Sequence, residues 1–311
     1  MNTNEEPVEI NLTEIIIYFW KEKILISIVS AAFAIFSVFY ALSIPDEYQS
    51  EIMLIPASSN NSNLASLAGN FGGLASLAGI DLGSVQGNNN SEVALELIKS
   101  WGFLETFINQ NELAVPLFAG INWNKVSREL IIDDEMYDVI NSKWIRTYDP
   151  SKGETPEPSS WELYEKLRDN ITISKDRETG IVRVALMFYS PDLAKDWLDK
   201  LVRQLNQHFR DKDRAYSLNN INYLEKQISE TNLKSMQTIF FQLIEEQTKN
   251  LMLSEANEEY VFRTVSESKV STEKTKPQRA LICIVITVFG FIMSLVVVFA
   301  KNTILNLREQ L

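Results

Sequence analysis

Few residues in this 311-residue sequence could carry catalytic or metal chemistry. It has one histidine, His208, within a helical pattern, and one cysteine, Cys283, within an apolar segment. A zinc site needs several such ligands, so no His/Cys metal cluster can form. A histidine in the middle of a helix favours a surface or packing role over Ser-His-Asp catalysis. The sequence also lacks a phosphate-binding loop and a dinucleotide fingerprint. We therefore predict no catalytic residues, no metal site and no cofactor.

Clustered carboxylates are the remaining candidates for chemistry. The acidic run 133–135 is interpreted as a solvated turn, and Glu245 with Glu246 as the polar face of a helix. The formal net charge of −12 favours solubility. It argues against nucleic acid as a partner, because nucleic-acid binding needs clustered Lys and Arg. The composition therefore favours a binding or scaffold protein over an enzyme.

Two apolar segments define the organisation of the chain. Residues 24–44 (ILISIVSAAFAIFSVFYALSI) and 280–300 (ALICIVITVFGFIMSLVVVFA) carry no charged residue. At about 1.5 Å per residue, each reaches roughly 30 Å, the thickness of a bilayer core. We predict transmembrane helices at 24–44 and 280–300, an N-terminal tail at 1–23, one domain at 45–279 and a C-terminal tail at 301–311.

The charges flanking the two spans disagree on orientation. Lys21 and Lys23 precede the first span with no basic residue soon after it, which favours cytoplasmic tails and a periplasmic domain. The second span argues the other way, because basic residues cluster on its domain side: Arg263, Lys269, Lys274, Lys276 and Arg279. The first span usually dominates, so we predict a multi-pass inner-membrane protein with a periplasmic domain. Cleavage as a signal peptide after Ala41-Leu42-Ser43 is disfavoured by the long apolar stretch and the acidic residues before it.

Small residues within the spans could let helices approach closely. In the first span these are Ser27, Ala31 and Ala34, and in the second Gly290 and Ser294. The points where the chain enters the membrane are marked by Lys21, Lys23, Pro277 and Arg279. Before the first span, Asn11 is a plausible cap of a short surface helix that ends near Trp20.

Between the spans, helical and strand patterns alternate. Helices are predicted at 91–113, ended by Pro116, at 159–170, capped by Ser160, and at 191–230 and 233–253; strands at 48–55, 171–174, 180–189 and 260–265. Residues 122–160 are predicted to form loops and short pieces. Residues 57–91 are rich in Asn, Ser, Gly and Ala and repeat LASLAG at 64–69 and 74–79. They are either a flexible surface loop or two apolar turns that pack on a neighbouring subunit.

The fold class predicted from this order is α+β. Strands at both ends of the domain must pair with one another, because a lone strand is not stable. We therefore expect two transmembrane helices flanking a periplasmic domain, with a mixed sheet near the membrane and long extended helices.

The chain runs through a short amphipathic N-terminal tail, a span, a strand, a helical domain, a strand, a second span and a short C-terminal tail. This order resembles the Wzz-type polysaccharide co-polymerases, the chain-length determinants of bacterial surface polysaccharides. INLTEIIIYFWKEK is similar to the start of the first span in that family, and SEVALELIKSWGFLETFINQNEL to its first periplasmic helix. PSSWELYEKLRDNITISKDRETGIVRVALMFYSPDLAKDWLDKLVRQLNQHFRDKD resembles its unit of hairpin and long helix. LIEEQTKNLMLSEANEEYVFRTV and KPQRALI resemble the return to the second span. Of the proline-rich run that often precedes that span, only Pro277 remains.

The resemblance implies a non-enzymatic role. It implies a ring-like homo-oligomer that acts with the O-antigen polymerase on a growing lipid-linked polysaccharide and sets its length, with O-antigen of lipopolysaccharide as the polymer. The tail 301–311 is too short for the tyrosine-kinase domain that some relatives carry. The alternative is a periplasmic sensor or ligand-binding membrane protein, which would normally continue into a signalling domain.

Overall fold

The computed structural model of the chain describes residues 20, 22–57 and 89–309. The predicted surface helix from Asn11, the membrane-flanking Lys21 and the LASLAG repeats lie outside the described residues. The chain divides into two compact units. One joins Met1–Asp46 to Thr275–Leu311, and the other is Glu47–Lys274.

The elements follow the chain in a mixed order of helices and strands. They are α1 (Lys23–Ser43), β1 (Tyr48–Pro56), α2 (Asn89–Leu97), α3 (Trp101–Gln110), α4 (Ala114–Ala119), β2 (Gly120–Asn124), β3 (Glu129–Ile132), β4 (Tyr137–Asp138), β5 (Lys143–Trp144), α5 (Ser160–Asn170), β6 (Ile171–Lys175), β7 (Val182–Phe188), α6 (Pro191–Glu230), α7 (Lys234–Ala256), β8 (Phe262–Ser266) and α8 (Arg279–Glu309). The predicted α+β class is confirmed.

The first unit is a pair of helices, α1 and α8, packed against each other. Both are long and apolar enough to cross a membrane. Most of their large apolar side chains, such as Phe39, Val285 and Phe299, point outward and are exposed. Such a surface is stable in lipid, where a helix satisfies its own backbone hydrogen bonds. The second helix continues beyond the predicted 280–300, to Glu309.

The second unit is built on a four-stranded sheet in the order β6-β7-β1-β8. Every neighbouring pair is antiparallel, with Ile52 opposite Val184 and Ile173 opposite Val184 in register. The prediction of a mixed sheet is therefore wrong. The short turn between β6 and β7 allows only an antiparallel pair. The strand that leaves the first span, β1, and the strand that returns toward the second, β8, run in opposite directions side by side.

The core of this unit lies between the sheet and the first half of α6. Alternate residues of β1 are buried, as expected for a strand with one covered face. Helix α6 contributes a stripe at three- and four-residue spacing: Ala194, Trp197, Leu198, Leu201, Leu205 and Phe209. Side chains from α3, α4, α5 and the turn after α2 complete the core, among them Ile98, Leu104, Phe107, Leu117 and Leu167.

The two long helices are where the sequence predicted them. At about 1.5 Å per residue, the 40 residues of α6 reach roughly 60 Å. Pro191 occupies its first turn, and the hydroxyl of Ser190 accepts from the Leu193 amide as the cap. Helix α7 packs along α6 as the second arm of a helical hairpin, with Phe240 and Leu224 buried.

Three local predictions need correction. The predicted helix 91–113 is two helices, because Ser100 adopts an extended conformation between α2 and α3. The turn allows Ile98 and Leu104 both to be fully buried. Pro116 does not end an element but lies in the first turn of α4, where its missing N–H costs no hydrogen bond. The cap of α5 is Ser159 rather than Ser160, since Ser159 and Glu162 bond reciprocally in a capping box.

Residues 122–160, predicted to form loops and short pieces, contain two small antiparallel hairpins. In one β2 pairs with β3, and in the other β4 pairs with β5. Arg128 of the first hairpin forms an ion pair of 2.5 Å with Asp192 at the start of α6.

Candidate functional site

At one end of the α1–α8 pair, Arg279 joins the two helices. Its Nη2 lies 2.8 Å from Oδ1 of Asp46, and its Nε donates to the carbonyl oxygen of Ala41 at 3.1 Å. The last carbonyls of a helix have no partner within it, so Arg279 satisfies one of them from the neighbouring helix. The positive charge of Arg279 also interacts favourably with the negative, C-terminal end of the α1 dipole.

A second ion pair joins the opposite ends of the same helices. Lys301 Nζ of α8 lies 2.7 Å from Glu22 Oε1 at the N-cap position of α1. The carboxylate is favourable at a helix N-terminus and the ammonium late in a helix. Since Arg279 and Lys301 bind opposite ends of α1, the helices are antiparallel. Lys23, predicted to mark the start of the membrane, has its ammonium 5.8 Å from the ring centroid of Trp20.

Between the ion pairs, the helices meet through small residues. A Cβ added to Gly290 would lie 2.4 Å from Cβ and Cγ of Phe33, closer than any real contact. A residue without a side chain is therefore required at 290, and the Phe33 ring takes the space. Ser37 and Ser294 are almost fully buried, and each hydroxyl donates to a carbonyl of its own helix.

The structure brings together only part of the predicted small-residue set. Gly290 and Ser294 are buried in the contact and Ala34 is half-buried, whereas Ser27 and Ala31 lie on the exposed side of α1. The role of Ser27 and Ala31 in membrane helix packing stays a prediction. Sequence reasoning missed Phe33, Ser37, Ala41 and Val298, of which the last three are buried. The four-residue spacing of Ser37 and Ala41, and of Gly290, Ser294 and Val298, was the available signal.

Pro277, the remaining residue predicted to mark the membrane boundary, lies just before α8. Its carbonyl accepts from the amide of Arg279 at 3.0 Å, and its own peptide bond with Lys276 is cis. Pro277 therefore sits in the turn that begins the helix.

In the second unit, a buried asparagine fixes the strand β8. The Oδ1 atom of Asn206 accepts from the amides of Val261 and Phe262 at 2.8 and 2.9 Å, and its Nδ2 donates to the Phe262 carbonyl at 3.0 Å. All three bonds are buried. The Asn206 side chain thus pairs with the backbone at the start of β8 as a neighbouring strand would. This pairing attaches β8 to α6.

Tyr260 forms another link between the returning chain and α6. Its hydroxyl donates to Asp213 Oδ2 at 2.8 Å. Burial, together with the hydrogen bond to this carboxylate, raises the pKa of Tyr260 above its ordinary value. The phenol therefore stays protonated and keeps its donor at physiological pH.

Helix α5 is held by a half-buried ion pair. Arg146 binds both carboxylate oxygens of Glu162, at 2.6 and 3.1 Å, and also donates to the carbonyls of Thr155 and Pro156. The Arg146 hydrogen bonds lower the pKa of Glu162 to about 2. On the same helix, burial lowers the pKa of Lys166, whose ammonium donates to the Phe118 carbonyl at 2.9 Å. These contacts lock the orientation of α5.

The described part of the chain holds no cluster of three or more His, Cys, Asp or Glu residues able to bind a metal. His208 is exposed and packs edge-on against the ring of Phe103, with 6.1 Å between ring centroids. Cys283 lies in α8, in the first unit. This arrangement can anchor a domain, because both ends of the α+β domain continue into a pair of apolar helices that two ion pairs hold together.

Two families of known proteins match parts of this sequence. Residues 8–111 match the family model of Wzz, chain length determinant protein. Residues 229–303 match GNVR, described as "G-rich domain on putative tyrosine kinase". Together the two matches cover more than half of the chain and include both apolar helices. The chain thus carries a Wzz chain length determinant domain and a GNVR domain, which confirms the resemblance found in the sequence.

The chain is similar to solved structures of polysaccharide co-polymerases, including the following two. A full-length bacterial polysaccharide co-polymerase is 12% identical, with a TM-score of 0.39, over 95% of this chain and 99% of that one. A fragment of WzzB, the polysaccharide co-polymerase from Salmonella Typhimurium, is 12% identical, with a TM-score of 0.31, over 75% of this chain and 100% of that one. No curated protein sequence matches the chain.

Proposed function

We propose that this chain is a non-enzymatic regulator that sets the length of a bacterial surface polysaccharide, the O-antigen of lipopolysaccharide. One observation carries the proposal. The domain begins with β1 and ends with β8, which are neighbours in the sheet, and the helices that precede and follow them, α1 and α8, are neighbours as well. The chain thus enters and leaves its domain at one place. This suits a scaffold held beside an integral membrane polymerase.

The proposed location is the bacterial inner membrane, with the domain 45–279 in the periplasm and both tails in the cytoplasm. Lys21 and Lys23 before the first span support this orientation. A reporter fused after Leu311 that is active only in the cytoplasm should be active. If a reporter active only outside the cytoplasm works there instead, the orientation is wrong.

The partners proposed are further copies of this chain in a ring, the O-antigen polymerase and the growing lipid-linked polysaccharide. Exposed apolar and aromatic side chains on the two long helices offer a surface for a second copy: Tyr216, Leu218, Tyr223, Phe241, Met252 and Leu253. In detergent, light scattering should give a mass several times that of one chain. A monomer at every concentration would contradict the ring.

Deletion of the gene tests the function itself. Surface polysaccharide separated on a gel should lose its modal length distribution while polymer is still made, and the restored gene should return it. An unchanged distribution in the deletion strain would overturn the proposal. The match of residues 8–111 to a chain length determinant model does not favour the alternative of a periplasmic sensor.

A further inference from the structure

Two tryptophans on the surface of the second unit form a fixed pair. Trp101 begins α3 and Trp161 lies in the first turn of α5; their ring centroids are 5.1 Å apart at an interplanar angle of 85°. The ring of Tyr164 lies 5.1 Å from that of Trp161 and 6.4 Å from that of Trp101. Trp101 and Trp161 remain 45% and 46% exposed. We call these three rings the aromatic platform.

The platform is rigid before any ligand arrives. Trp101 Nε1 donates to Ser160 Oγ at 3.0 Å, and the Tyr164 hydroxyl donates to the Lys99 carbonyl at 3.2 Å. The capping box of Ser159 and Glu162 fixes the first turn of α5, from which Trp161 projects. Rings held in one orientation lose little conformational entropy when they bind, which increases affinity.

Polar groups border the platform. The guanidinium of Arg168 lies 5.2 Å from the Tyr164 ring centroid and is paired with Asp169 at 3.0 Å. Beside Trp101, the helical residue Gly102 is exposed, and a Cβ there would meet nothing within 4 Å. A glycine within a helix is less stable than an alanine. A side chain would fit at position 102 but none is present, so the surface beside Trp101 is accessible to a ligand.

The size of the exposed patch indicates what it binds. A tryptophan side chain has roughly 200 Å² of surface, so two that are half exposed present about 200 Å² together. A stable protein interface buries about 800 Å² on each partner. The platform is several times too small for that and is bordered by charged and hydroxyl groups. It matches a ligand of a few rings that has apolar faces and polar edges.

We infer that the aromatic platform is a binding site for the polysaccharide itself. The inference rests on the proposed function, which brings a polysaccharide to this domain. A pyranose ring has an apolar face of C–H groups, which is attracted to the electron-rich face of an indole. Its hydroxyl groups lie at the edge of the ring, and polar groups border the platform at Ser160, Arg168 and Asp169. Trp101 and Trp161 therefore stack on sugar rings, and the bordering groups bind the hydroxyls.

The test measures binding of the full-length protein in lipid nanodiscs. The probe is the organism's own surface polysaccharide, released from its lipid by mild acid, with dextran as an unrelated polymer. Isothermal titration should show binding of the native polysaccharide, weaker by about tenfold for Trp101→Ala and for Trp161→Ala, as for the loss of one stacked ring. Trp101→Phe, which keeps a ring, should lose less. Val126→Ala is the control, because Val126 is 95% exposed but lies in the β2–β3 turn.

The outcomes separate this inference from the proposed function. Circular dichroism should show that the variants are folded, since both rings are half exposed. If the double variant Trp101→Ala/Trp161→Ala binds as tightly as the wild type, or the wild type does not bind, the inference is wrong, even where gene deletion abolishes the modal length. A patch used by a protein partner would give that result. If deletion leaves the length distribution unchanged, the proposed function fails whatever the binding experiment shows.

Discussion

Arg279 and Asp46 are 233 positions apart in the sequence, yet their side chains lie 2.8 Å apart at the junction of the two apolar helices. Arg279 also binds the last turn of α1 through the Ala41 carbonyl. This contact closes the chain into a loop, so its loss should loosen both helices where the chain leaves them for the domain.

Arg279→Ala combined with Asp46→Ala in a double-mutant cycle should reveal this coupling. The pair is partly exposed, at 32% and 19%, so we expect a coupling free energy of about 0.5–1 kcal/mol. Denaturant unfolding in detergent measures it. Lys276→Ala, which removes an exposed cation nearby, should have little effect. Strict additivity of the two substitutions would contradict a direct interaction.

Gly290→Leu should separate α1 from α8. The added side chain would overlap Phe33, and overpacking of this kind costs roughly 1–3 kcal/mol. The melting temperature of the detergent-purified protein should fall by several degrees. Ala300→Leu, on the exposed side of the same helix, adds the same side chain without the overlap and should change little. Equal effects from both would show that the contact with Phe33 is not close.

Asn206→Leu should destabilise the attachment of β8. The substitution keeps the bulk but leaves two amides and one carbonyl buried without partners. Each orphaned group costs about 1–3 kcal/mol, so the loss should reach several kcal/mol. Hydrogen exchange of the Val261 and Phe262 amides should accelerate most. Gln207→Ala, at the exposed neighbouring position, is the control, and protected amides in Asn206→Leu would contradict the bonding described here.

Acid should weaken the domain through Glu162. Its pKa of about 2 in the folded protein is below the unfolded value of 4.5, so the folded state favours the carboxylate. The stabilisation is present above pH 4.5 and is lost as the pH falls toward 2. Unfolding free energies measured across this window should show a smaller pH dependence for Glu162→Gln than for the wild type. Glu165→Gln, an exposed carboxylate on the same helix, should retain the wild-type slope.

Local patterns predicted the elements because each pattern is set by neighbours in sequence. The stripe from Trp197 to Phe209 and the proline at 191 locate α6, and alternating residues locate β1 and β7. The break at Ser100 was missed because the apolar spacing continues across it. The predicted pairing of the strands at the two ends of the domain is confirmed for β1 and β8, but its antiparallel direction depends on contacts between residues that are far apart in sequence.

The candidate sites were less predictable, for a physical reason. An apolar span carries no mark of which face meets another helix, so Ser27 and Ala31 looked equivalent to Ser37 and Ala41 in sequence. Asn206 looks like an ordinary polar residue of a helix until β8 is placed beside it. Trp101 and Trp161 belong to different helices and become a pair only through the packing of α3 on α5.

Among the described residues, α6 is buried against the core up to Phe209, and beyond that point α6 and α7 pack along each other until the chain returns to the core at Val261. Whole turns can therefore be added to or removed from both arms together, with the sheet, Asn206 and the clamped pair α1–α8 unchanged. The length of the α6–α7 hairpin can thus vary while the sheet that holds it stays the same.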